Sequence, residues 1–142
     1  MAKISRLHNV VAIKEASASM AQIQKCLAIT DADVYCGDDG LTATSMCVGA
    51  KGVISVAANV APALMSRLTG MALVGNLAKA GSLQLKLLPL IDALFAEVNP
   101  IPVRAALNLM GINTGAPRLP MTELTDENKT KLKRIMEELK LI

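Results

Sequence analysis

The run Val10-Val11-Ala12-Ile13-Lys14 carries four apolar residues into an amine, and Glu15-Ala16-Ser17 follows at once. A short β-branched run of this kind reads as a buried parallel strand, and the stretch after it as the helix of a βα unit. Folds of the α/β class build their sites at the carboxyl ends of such strands. Burial among apolar neighbours disfavours an ammonium ion and draws an amine down from its ordinary pKa of about 10.4. A lysine walled in this way is expected to attack a carbonyl and form a Schiff base. Taken alone, the segment is more simply a solvated lysine closing a strand.

The other reactive residues form no second constellation. His8 is the single histidine, so neither a zinc site nor a serine triad is expected, and the sequence calls for no metal and no cofactor. Cys26, Cys36 and Cys47 are odd in number and lack a C-x-x-C spacing. They read as small buried residues in a reducing compartment. Asp31, Asp33, Asp38 and Asp39 lie close together, but Tyr35 falls at the third ligand position of a calcium loop and Cys36 at its glycine position. Asp38 and Asp39 are expected instead to cap the helix that follows them. Glycine-rich phosphate loops and the nucleophile-elbow motif are missing.

Composition narrows the class. The chain has 142 residues, 52% of them hydrophobic, enough for one domain with a core built on Leu, Val, Ile, Ala and Met, because Tyr35 and Phe95 are its only aromatics. The net charge of +3 is not concentrated. Its densest stretch, Lys129 to Lys140, is interrupted by Glu137 and Glu138 and holds no aromatic for base stacking, so it reads as a solvated helix face and no nucleic-acid partner is expected. Gly52, Ser55, Asn59 and Pro62 break the charge-free stretch between Lys51 and Arg67. No membrane span and no signal peptide are read, and a cytoplasmic location is expected.

Strand and helix patterns must position Lys14. Met20, Ile23 and Leu27 recur at helical spacing after it, with Ser17 or Ser19 as cap. Val34-Tyr35-Cys36 forms a second short strand ending in Gly37-Asp38-Asp39-Gly40, and Ala43, Met46, Cys47 and Ala50 mark a second helix. Gly52 to Val56 is the third strand, and Pro62 to Val74 the third helix, closed by Gly75. Beyond Asn76 the pattern is helical only: a long helix to Phe95 bent at Pro89, an extended Asn99-Pro100-Ile101-Pro102, a short helix from Val103 to Met110, and a last helix capped by Thr125. Leu132, Ile135, Met136 and Leu139 form the apolar face of that last helix. The expected class is α/β, with a parallel-sheet region over residues 1–75 and a helical region over 76–142.

Val11-Ala12-Ile13-Lys14-Glu15-Ala16-Ser17, Gly37-Asp38-Asp39, Gly52-Val53-Ile54-Ser55-Val56, Asn99-Pro100-Ile101-Pro102-Val103 and Arg118-Leu119-Pro120 come in the order and spacing of the dihydrodipicolinate synthase family. The chain resembles that family over essentially its whole length. Within the pyruvate-dependent aldolases, Lys-Glu-Ala-Ser and Gly-Asp-Asp look more like the synthase than like N-acetylneuraminate lyase. One departure is Ala18, where the family commonly has glycine.

The resemblance implies a partial (β/α)8 barrel, its last three βα units, followed by a C-terminal helical extension. It implies a lyase of the class I aldolase type, in which Lys14 forms the Schiff base with pyruvate and the enamine condenses with aspartate semialdehyde, on the route to diaminopimelate and lysine. Gly37 and Ile54 match positions that contact the bound pyruvate. Glu15 is assigned to the first turn of the helix after Lys14 rather than to catalysis.

A whole barrel needs on the order of 250 residues. This chain is expected to begin in the helix before strand six, leaving the family's threonine pair, relay tyrosine and carboxylate-binding arginine outside it. Tyr35 does not match the relay tyrosine. The partners expected besides pyruvate and aspartate semialdehyde are a complementing N-terminal half or further copies in a homo-oligomer. Three readings follow: a lyase complemented by an N-terminal half or forming a piece of a full-length enzyme, a truncated remnant without catalysis, or a small protein-binding module. The last would use an apolar concavity left open where the C-terminal helices pack only on the sheet's outer face.

Overall fold

The computed structural model describes residues 1–142. Three parallel strands, β1 (Ala12–Glu15), β2 (Asp33–Cys36) and β3 (Gly52–Val53), lie side by side in sequence order. The register sets Lys14 beside Tyr35 and Tyr35 beside Gly52. Because side chains alternate along a strand, each register row shares a face. Ile13, Glu15, Val34 and Cys36 are buried toward the helices, whereas Ala12, Lys14 and Asp33 stand exposed on the other side.

α1 (Met20–Ile29) and α2 (Thr42–Cys47) join the strands, and α3 (Pro62–Leu73), α4 (Leu77–Leu94), α5 (Ile101–Leu109) and α6 (Asp126–Glu138) follow. Ser19 starts α1 by accepting the Gln22 amide at 3.3 Å, and Asn76 starts α4 by accepting that of Lys79 at 3.3 Å. The main core lies among α2 to α6, where Leu68, Leu87, Leu90, Leu94, Leu132 and Met136 are fully buried. Each such side chain contributes about 1.5–3 kcal/mol. Ile13, Ile23, Cys26, Val34 and Cys36 form a smaller buried layer between the sheet and α1.

Several expectations are corrected. Residues 2–9 form turns rather than a helix. The first strand is shifted to Ala12–Glu15, so Glu15 is a buried strand residue and not the start of a helix. The third strand ends at Val53, three residues early. α4 runs through Pro89, whose side chain is exposed. Asn99 to Pro102 is not extended throughout, because α5 starts at Ile101. Pro102 is tolerated in its first turn, where the proline's lacking N–H would have no intrahelical partner. Cys47 is exposed, while Cys26 and Cys36 are buried. Thr125 occupies the N-cap of α6 but donates its hydroxyl to Glu97 rather than accepting from the helix.

Candidate active site

Lys14 sits one residue from the carboxyl end of β1, on the open face of the sheet. The apolar enclosure expected around it is not provided by these strands. Its side chain is exposed, because the face it points from is covered only in part in this chain. Gly37, just past β2, donates its amide to the Glu15 carbonyl at 2.6 Å. A Cβ built there would fall 2.4 Å from Ala16 Cβ and 2.9 Å from both Ala16 Cα and Lys14 Cε. Only a bare backbone passes this close, so the glycine is a requirement of the approach to Lys14. Ile54 lies one residue beyond β3, held by its amide on the Cys36 carbonyl at 2.8 Å, and is 49% exposed.

Lys14 and Ile54 line one open cavity of about 380 Å³. Its other walls are Ser55, Val56 and Asn59 from the β3–α3 connection, and Asn99, Pro100, Val103, Arg104 and Leu107 from the start of α5. The concavity is therefore not simply apolar, and one C-terminal helix reaches round to the sheet's open side instead of packing wholly behind it. Asn59, Asn99 and Arg104 were not legible as site residues. The Asn-Pro-Ile-Pro run was the one signal pointing to their neighbourhood, and no local spacing ties it to Lys14.

The turn from Lys14 into α1 is tightly held. Glu15 Oε1 accepts the Ser17 amide at 3.1 Å, and Ala18 adopts φ +58°. The two aspartates part company. Asp38 accepts the Gly40 amide at 2.8 Å and caps the 3-10 turn Asp39–Leu41 that leads into α2. Asp39 does not cap α2. It is 1% exposed, and its Oδ2 accepts the amides of Val56 and Ala57 at 2.8 and 3.2 Å.

Arg104 is the cation nearest the helical side of the cavity. Its Nη2 donates to the carbonyls of Thr114, Gly115 and Ala116, which folds the loop after α5 back onto that helix. Farther away, Glu97 Oε1 accepts from Asn128 Nδ2 at 2.7 Å and from the Thr125 hydroxyl and amide at 2.6 and 3.1 Å. Hydrogen bonds from Asn128 first and Thr125 second hold its carboxyl below the ordinary 4.5. No three His, Cys, Asp or Glu side chains come together in a metal-binding group. No helix is long and apolar enough to cross a membrane.

The dihydrodipicolinate synthetase family profile matches residues 1–139. The 4-hydroxy-tetrahydrodipicolinate synthase of Archaeoglobus fulgidus is 44% identical over 142 residues, a match covering 99% of this chain and 49% of that protein. The crystal structure of dihydrodipicolinate synthase from Thermotoga maritima superposes with a TM-score of 0.95 at 41% identity, covering 99% of this chain and 50% of the other. The Acinetobacter baumannii enzyme complexed with pyruvate superposes with a TM-score of 0.94 at 33% identity, covering 99% and 49%. The chain thus spans about half the length of the relatives it matches, and its three βα units with their helical extension are part of a (β/α)8 barrel. On a match running over nearly its full length, this chain belongs to the dihydrodipicolinate synthetase family.

Proposed function

We propose that this chain carries the Schiff-base lysine of a 4-hydroxy-tetrahydrodipicolinate synthase. In this reading the Lys14 amine attacks the keto carbon of pyruvate and water leaves, giving an iminium that withdraws electrons from the adjacent methyl carbon. Loss of a methyl proton forms the enamine, whose carbon attacks the aldehyde of aspartate semialdehyde. Gly37 offers bare backbone beside the amine, and Ile54 an apolar wall for the bound acid. The observation that supports this most is the close passage of Gly37 against Lys14 Cε at the end of adjacent parallel strands. A structural relative complexed with pyruvate agrees with it.

Three strands do not close a barrel of eight. The reading therefore includes a companion carrying the other βα units, on the same polypeptide or another, that pairs with the free edges of β1 and β3 and encloses Lys14. The companion would also hold the groups that move the methyl proton. The cytoplasm is the compartment proposed.

Borohydride trapping tests this. Incubated with pyruvate and borohydride together with a companion half, the chain gains the mass of a carboxyethyl group, and Lys14→Ala abolishes the gain. A folded Lys14 chain that gains nothing, with or without the companion, removes the lyase reading and leaves a remnant or binding module.

A further inference from the structure

We infer that Asp39 is a positioning residue for the Lys14 cavity: its buried carboxylate fixes the β3–α3 connection as that cavity's wall. The inference rests on the Schiff-base reading and adds a residue that neither the strand pattern nor the helix-capping rule assigns to the site.

β3 is only Gly52–Val53, and the last ladder bond is that of the Ile54 amide to Cys36. Strand pairing therefore stops where the wall begins, since Ile54, Ser55, Val56 and Asn59 all line the cavity. The next structure is the 3-10 turn Ala57–Asn59, whose N-cap residue Val56 has no capping side chain of its own. Asp39, seventeen residues away, takes over that role through its bonds to the Val56 and Ala57 amides, and Ser55 Oγ accepts the Ala58 amide at 2.8 Å. A carboxylate at a helical N-terminus is favoured by the free amides and their dipoles.

The anchor is itself immobilised. The Asp39 carbonyl accepts from Gln84 Nε2 of α4 and from the Thr42 hydroxyl of α2, both at 3.0 Å, and Gln84 Oε1 accepts the Ala43 amide at 3.2 Å. One buried residue thus ties the connection lining the cavity, held by its side chain, to two helices of the main core, held by its backbone carbonyl. The two carboxylate bonds deliver a fixed geometry to residues 55–57, which no strand ladder holds.

The test uses the full 142-residue chain together with the companion half and two readouts: hydrogen exchange at the Val56 and Ala57 amides, and the pyruvate concentration giving half-maximal borohydride trapping on Lys14. In Asp39→Ala both amides exchange faster, and the half-saturating pyruvate concentration rises by about tenfold or more, the loss of one net bond to a charged group. Trapping of acetone, which lacks the carboxylate, is unchanged. Asp39→Asn keeps a carbonyl oxygen facing the same amides and restores both values. Should Asp39→Ala not fold, Asp39→Ser serves, its shorter hydroxyl falling short of the two amides. Gln84→Leu, which removes one support of the Asp39 backbone and leaves its carboxylate bonds in place, lowers the melting temperature and shifts the pyruvate dependence less than Asp39→Ala does.

Unchanged exchange or unchanged half-saturation in the Ala or Ser variant overturns the inference, as does an equal pyruvate shift in Gln84→Leu. A native chain that forms no adduct even with the companion present fails the Schiff-base reading alone. Exchange at Val56 and Ala57 then still decides whether Asp39 holds the wall.

Discussion

Gly37 leaves no room for a methyl group. The nearest obstacle is backbone-rooted, since Ala16 Cβ and Cα would lie 2.4 and 2.9 Å from the new carbon, and Lys14 Cε stands on the same side at 2.9 Å. Gly37→Ala is expected to cost about 1–3 kcal/mol by overpacking. By displacing the amine it should also reduce pyruvate trapping by at least about tenfold. Denaturant melts and trapping rates check the two effects, and a variant unchanged in both would contradict the close approach. Ala18 offers the opposite experiment. Its φ of +58° lies in the left-handed region, which an L side chain occupies at a cost. Ala18→Gly should stabilise the chain by about 0.5–1 kcal/mol in the same melts, because glycine's greater unfolded-state freedom offsets part of the relief. The motifs around Lys14, Gly37 and Ile54 marked them as candidates in the sequence, and the fold sets them at or just past the ends of the three parallel strands. The conformation at Ala18 was not legible there, since nothing in a Ser-Ala-Ser run fixes a positive φ.

Elements were legible where their signals are local. Apolar spacing marked α1, α2 and α6, proline, glycine and asparagine at their ends marked α3 and α4, and the order of three βα units followed from alternation. What failed depended on distant partners. Thr125 looked like a helix cap until Glu97, from the α4–α5 loop, took its hydroxyl and amide. Asp39 looked like a local cap and instead serves a turn across the sheet. Neither pairing has a sequence spacing that periodicity can detect. The Glu97 latch also makes a pH prediction. Because the folded carboxyl is held below 4.5 by Asn128 and Thr125, the unfolded chain takes up the proton first on acidification. The latch's contribution is complete above the unfolded value and is lost as pH falls through the lower folded one. Acid unfolding followed through α6 should therefore begin at lower pH in Glu97→Gln, relative to its own neutral-pH stability. Parallel acid curves would contradict the latch.

At the scale of the molecule, a three-stranded parallel sheet presents two free edges and an open face bearing Lys14. Such edges pair with other chains. Alone, the chain should associate with rising concentration in sedimentation velocity, and a companion with the other βα units should replace that association by one defined complex. A chain that stays monomeric at every concentration and ignores the companion would contradict the partial-barrel account. The central claim concerns a single amine, and peptide mapping after pyruvate and borohydride tests it most directly in that complex. The chain has ten lysines. The account predicts a carboxyethyl group on Lys14 and on none of the other nine, whereas label spread over the exposed lysines, or absent from Lys14, would contradict it.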